Sequence, residues 1–150
     1  MATRDALNDR CKTLLLNLAR LADAEGTAEE RFTRLWKTTR DYLRHVEKRK
    51  AEETITHEGD YAIETFKVIA NAETMVLAIA KNEYATGKLQ LEDDGWIVLI
   101  GNEGQLATSY RYMADKESFI DRHQKAQDII YYYTLDEDLR KLLKAVFDRP

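Results

Sequence analysis

DYAIETFKVIANAETMVLAIAKNEYA, residues 60–85, is the stretch whose reading decides the fold. It holds neither proline nor glycine, and Asp60 stands where a helix N-cap belongs. Apolar residues occur on several sides of a helical wheel (Ala62, Ile63, Phe66, Val68, Ile69, Met75, Val76, Leu77 and Ile79). The expected element is a central, buried helix running to about Ala85. Its alanines at 70, 72, 78 and 80 would let neighbouring elements approach closely. Glu64, Lys67 and Glu73 interrupt the apolar run, so it does not read as a membrane span.

Helical signals flank this stretch on both sides. The only proline, Pro150, is the last residue, so glycines do the punctuating. A leucine stripe at Leu7, Leu14, Leu18 and Leu21 predicts a first helix from Arg4 to Glu25, ended by Gly26. Thr27-Ala-Glu-Glu30 is a capping-box pattern opening a second helix, which continues to about Thr56. Asn102-Glu-Gly-Gln105 reads as the start of a fourth helix reaching about Tyr133. Thr134-Leu-Asp-Glu137 opens a fifth that ends near Asp148.

Between helices 3 and 4 the pattern changes. Leu89 and Leu91 alternate with polar residues, Asp94-Gly95 is a tight-turn signal, and Trp96 to Ile100 is an apolar run rich in β-branched residues. A β-hairpin at about 88–101 follows, with strands Lys88–Glu92 and Trp96–Ile100; a short buried helix at 96–100 is the competing reading. Trp96, Val98 and Ile100 would point one way and Ile97 and Leu99 the other. One face can pack on the helices, and a second copy of the chain could cover the other. The expected fold is therefore mainly α: a single domain over residues 1–150, with five helices and one hairpin.

Charge gives the one hint of a partner. Residues 31–50 carry eight basic and two acidic side chains, a local +6 in a chain whose net charge is −4, which leaves −10 for the rest. On a helical wheel Phe32, Leu35, Trp36, Thr39, Tyr42, Leu43 and Val46 share a face. Arg34, Lys37, Arg40, Arg44 and Lys48 lie opposite, with Asp41 the one interruption. This predicts a basic stripe able to dock a nucleic-acid backbone or an acidic protein surface. The same order of charge, acidic at the start and basic beyond, also suits the helix dipole.

Other chemistry finds little support. The single cysteine, Cys11, cannot form an intramolecular disulfide, falls in register with the leucine stripe and suits a reducing compartment. No histidine has a glutamate three residues before it, as di-metal carboxylate bundles require, so no metal and no cofactor is expected. There is no phosphate-binding glycine loop and no nucleophile elbow around Ser109 or Ser118. His57 reads as a surface residue and His123 as a core or rim residue of helix 4. The run Tyr131-Tyr132-Tyr133 points in three directions on a helix, which favours packing over base stacking. No signal peptide is evident, and the expected location is the cytoplasm.

Arg40-Asp-Tyr-Leu-Arg-His45 resembles the R-x4-H pattern of HEPN ribonucleases, small all-helical proteins that cleave RNA at a dimer interface. That resemblance implies metal-independent catalysis by Arg40 and His45. The order of helices, hairpin, long helix and last helix also resembles MarR-type winged-helix regulators, although the wing tip here, Glu92-Asp93-Asp94, is acidic where that family has arginine. The residues themselves point to a non-enzymatic interaction or regulatory protein. Arg34, Lys37, Arg40, Arg44 and Lys48 would contact the partner. Trp96, Val98 and Ile100 would lie at the hairpin packing surface and at a self-association interface. A homo-oligomer or a subunit of a larger assembly is expected, with no membrane involvement.

Overall fold

A computed structural model describes residues 4–71, 75–82, 85–93, 95–101, 103–111 and 129–148. Helix α1 (Arg4–Ala22) turns Cys11, Leu14, Leu15, Leu18, Ala19 and Ala22 into the core. Helix α2 (Ala28–Thr33) opens on the expected capping box: the Glu30 N–H donates to Thr27 Oγ1 at 3.1 Å, and the Thr27 N–H donates to the Glu30 carboxylate. Helix α3 (Thr39–Ala51) starts afresh, with the Thr38 hydroxyl accepting from the Asp41 N–H at 3.0 Å. The single helix expected over 27–56 is thus two helices joined by an elbow at residues 34–38. Here tertiary packing overrides helix propensity. Leu35 and Trp36 turn into the core, and the Leu35 carbonyl accepts from the Leu106 N–H at 2.9 Å.

Helix α4 (Glu58–Ala70) begins two residues before the expected cap. Asp60 still serves the helix start, because its carboxylate accepts from the N–H groups of Thr56 (3.2 Å) and His57 (2.9 Å). The helix ends at Ala70 rather than Ala85. Met75–Asn82 is strand β1, followed by β2 (Ala85–Asp93), β3 (Trp96–Ile100), β4 (Leu106–Arg111) and β5 (Ile129–Thr134). Helix α5 (Glu137–Phe147) closes the chain, with the Asp136 carboxylate accepting from the Leu139 N–H at 2.7 Å.

The described elements therefore include five helices, and the hairpin expected at 88–101 is present as β2–β3, turning through Gly95 at φ +81°. It follows the fourth helix, since the second expected helix is two. The hairpin is not alone. It is part of an antiparallel sheet of order β4-β3-β2-β1-β5, so the mostly helical chain also carries a sheet larger than the one hairpin expected. Helix 4, expected from residue 105 to 133, is β4 at one end and β5 at the other; its middle, with His123, lies outside the described residues. Strand β1, paired with both β2 and β5, is an unbroken apolar run from Met75 to Ala80. Such a run has no period that distinguishes it from a buried helix.

Helices α1 and α4 pack on the β2–β3 region, and α5 packs on both helices. Trp96, Val98 and Ile100 belong to the main core under these helices, together with Leu91 and Leu106. Ile97 and Leu99, on the opposite face of β3, are also buried within the chain, at 2% and 6% exposure. The hairpin's packing surface, Trp96, Val98 and Ile100, is thus seated beneath the chain's own helices.

Candidate docking face

The elbow between α2 and α3 and the outer side of α3 carry the predicted basic stripe. Arg34 sits at the C-cap of α2 and donates from Nη1 to the Glu25 carbonyl at 2.9 Å. Lys37 lies within the elbow. Arg40, Arg44 and Lys48 follow at four-residue spacing on α3, about 6 Å apart along its axis. All five side chains are exposed. Arg44 pairs with Asp41 at 2.6 Å, while Lys37, Arg40 and Lys48 make no ion pair among the described residues. The row thus runs along the elbow and one helix, not along a single helix.

The inner side of α3 is built differently. Tyr42, His45, Val46 and Arg49 are buried there. The Arg49 guanidinium lies 5.5 Å from the Tyr110 ring centroid and pairs with Glu52 at 3.3 Å. Arg31 is fully buried over the Phe66 ring and donates to the Val146 carbonyl at 3.2 Å. These two arginines contribute to packing and are lost to docking. Leu43, expected in the core, is instead 46% exposed. Its place follows from the helix: it is −60° from Arg40 on the wheel, on the solvent side.

His45 does not meet Arg40. Five residues apart on a helix they point about 140° away from each other. Arg40 is exposed, whereas the His45 ring lies inside against the Trp36 ring, with centroids 4.6 Å apart. His45 Nδ1 is 2.9 Å from the Asp41 carbonyl, which can only accept, so Nδ1 carries the proton. Burial lowers the His45 pKa below its ordinary value, and nearby Arg44 and Arg49 act in the same direction. The ring is held neutral as a packing element.

A second polar cluster joins α4 to the sheet. The Tyr61 hydroxyl donates to the Ser109 carbonyl at 2.6 Å, the Trp96 indole N–H donates to Ser109 Oγ at 2.7 Å, and Thr65 Oγ1 shares a hydrogen bond with Ser109 Oγ at 2.7 Å. Thr65 and Ser109 are fully buried. Every hydroxyl here has a partner, so the cluster is a brace and not a nucleophile site. The sequence hid it, because Ser109 was expected on a helix.

Depressions on the described surface include the following. One of about 520 Å³ lies in the elbow, lined by Thr33, Arg34, Trp36, Lys37 and Thr38 among others. A second, about 260 Å³, lies between Lys37, Asp41 and the β3–β4 turn. A third, about 320 Å³, lies where Ile69 and Asn71 face Arg140, Leu143 and Lys144. Among the described residues no three histidine, cysteine, aspartate or glutamate side chains gather as a metal site. No described helix is long and apolar enough to cross a membrane.

Comparison with known proteins adds relationship without activity. The family model described as "Uncharacterised protein aq_aa01" matches residues 26–149, from just before α2 through the sheet to α5. A protein of Aquifex aeolicus (strain VF5), named "Uncharacterized protein aq_aa01", is 30% identical over 99 residues, which cover 63% of this chain and 72% of the relative. No solved structure matches the chain.

Proposed function

We propose that this chain, which belongs to the family described as Uncharacterised protein aq_aa01, is a non-enzymatic interaction protein that docks an acidic partner through Arg34, Lys37, Arg40, Arg44 and Lys48. One observation carries the reading. The two sides of α3 are segregated, with Arg40, Arg44 and Lys48 exposed on one and Tyr42, His45 and Val46 buried on the other. Arg40 and Lys48, which make no ion pair among the described residues, can meet opposite charge without first breaking one, whereas Arg44 would exchange Asp41 for the partner. The buried, neutral His45 favours binding over Arg40–His45 catalysis. The layout that resembled a winged helix is replaced by a five-stranded sheet, so that comparison lends the reading no support. Through its partner the chain acts as a subunit of an assembly.

The test is a fluorescence-anisotropy titration of the full chain against labelled polyglutamate, single-stranded RNA and duplex DNA over a range of salt. Binding of at least one polyanion is expected, weakening steeply with salt. Arg40→Glu with Arg44→Glu should weaken it at least tenfold with an unchanged circular-dichroism spectrum. Cleavage of the RNA that disappears in His45→Ala would replace this reading with a nuclease. Absence of charge-dependent binding to every polyanion would remove it.

A further inference from the structure

The docking face contains features that uniform phosphate recognition does not use. Leu43 stands 46% exposed between Arg40 and Arg44 in the sequence and flanks them on the wheel. Glu47, with 75% of its side chain exposed and paired with Lys50 at 3.9 Å, lies on the same solvent side one turn after Leu43, and Asp41, paired with Arg44 at 2.6 Å, borders the row. Carboxylates set among the basic side chains suit a surface of mixed charge better than a uniformly anionic backbone. A protein surface can answer each charge with its opposite. The aromatic side chains of this region, Phe32, Trp36 and Tyr42, are at most 4% exposed, so they offer no platform for stacking bases.

Building on the docking reading, we infer that the partner is a protein, and that the docked segment is acidic with an apolar side chain placed against Leu43. Arg40, Arg44 and Lys48 recur each helical turn, at about 6 Å. Carboxylates one turn apart on an amphipathic helix have the same repeat, and an apolar residue beside them meets Leu43. Nucleic acid is the outcome that would contradict this assignment.

The experiment is selection of 15-residue peptides from a phage-displayed random library on the immobilised full chain. The pool is counter-selected on the Arg40→Glu, Arg44→Glu variant. Enriched peptides are then titrated by anisotropy beside single-stranded RNA and duplex DNA. The expected peptides carry acidic residues three or four apart around an apolar one. Leu43→Ser should weaken them at least fivefold, and Leu43 is exposed enough for the variant to keep its fold. Three results overturn the inference: enrichment without acidic residues, peptide binding indifferent to Leu43→Ser, or oligonucleotide binding that outcompetes the peptides and ignores Leu43. The last of these leaves charge docking standing. Loss of all Arg40- and Arg44-dependent binding, to peptides and oligonucleotides alike, removes charge docking as well.

Discussion

Ser109 holds three hydrogen bonds at a point where α4, β3 and β4 meet. Its carbonyl takes the Tyr61 hydroxyl, and its side chain takes the Trp96 indole N–H and shares a bond with Thr65. Ser109→Ala keeps the first and strands the other two groups inside the core. A buried donor left unpaired costs about 1–3 kcal/mol, more than the modest net worth of an intact neutral bond. A fall of about that size in unfolding free energy is expected, read as a lower urea midpoint with the m-value unchanged. Leu43→Ser, one polar substitution at an exposed position, should shift the midpoint by less than about 0.5 kcal/mol. The pair separates the two kinds of residue found here. Ser109 maintains the scaffold, whereas Leu43 faces outward and is free to take part in binding. Neither role was legible in the sequence, which placed Leu43 on the core face of its helix and Ser109 on a helix instead of a strand.

Element boundaries follow local chemistry where a cap or turn marks them. Thr27 with Glu30 and Gly95 in the hairpin act at positions readable from residue type alone, whereas the last helix is capped by Asp136 and not by the expected Thr134, which ends β5. The elbow was not readable, because what breaks the helix lies elsewhere in the chain: the Leu35 carbonyl is bound by the Leu106 N–H, and Thr38 then caps a new helix. Replacing that cap by Thr38→Ala should cost about 1 kcal/mol and fray the first turn of α3, where Arg40 sits. Faster amide exchange at Asp41 would report it. Sheet strands were the larger omission. Ile129 to Thr134 is an unbroken run of β-branched and aromatic residues, a strand signal that a helical reading of its surroundings outweighed. The basic stripe survived these errors, since its five residues stay exposed whether the segment is one helix or two. The β3–β4 turn adds a contact invisible from sequence. A Cβ at Gly104 would come within 2.7 Å of the Asn17 Cβ and 2.9 Å of the Leu14 carbonyl oxygen on α1, at φ +84°. Gly104→Ala should therefore loosen α1 from the sheet, lowering the thermal midpoint without touching the docking face.

At the scale of the whole molecule, stability should have an acid limb and an alkaline limb with separate owners. His45 is desolvated and flanked by Arg44 and Arg49, which together outweigh Asp41 and lower its pKa from the ordinary 6.5. Its proton is thus bound more tightly in the unfolded chain, so its contribution is complete above pH 6.5 and is lost as pH falls through the lower folded value. Asp136 accepts the Leu139 N–H and pairs with Lys12, which lowers its carboxyl pKa from 3.8; that contribution is lost only below this range. On the other side, burial is the main cause that pushes the Tyr133 phenol up to about 12 and raises Tyr61 further. The folded state holds those protons more tightly, so stability is complete below the ordinary value of 10 and declines as pH rises beyond it. Urea midpoints measured across pH should therefore form a plateau between about 6.5 and 10. His45→Gln should flatten the decline that begins below 6.5 while leaving the carboxylate limb below 3.8 in place. A decline just below 6.5 that persists unchanged in His45→Gln would assign that limb to another group and release His45 from its role beneath α3.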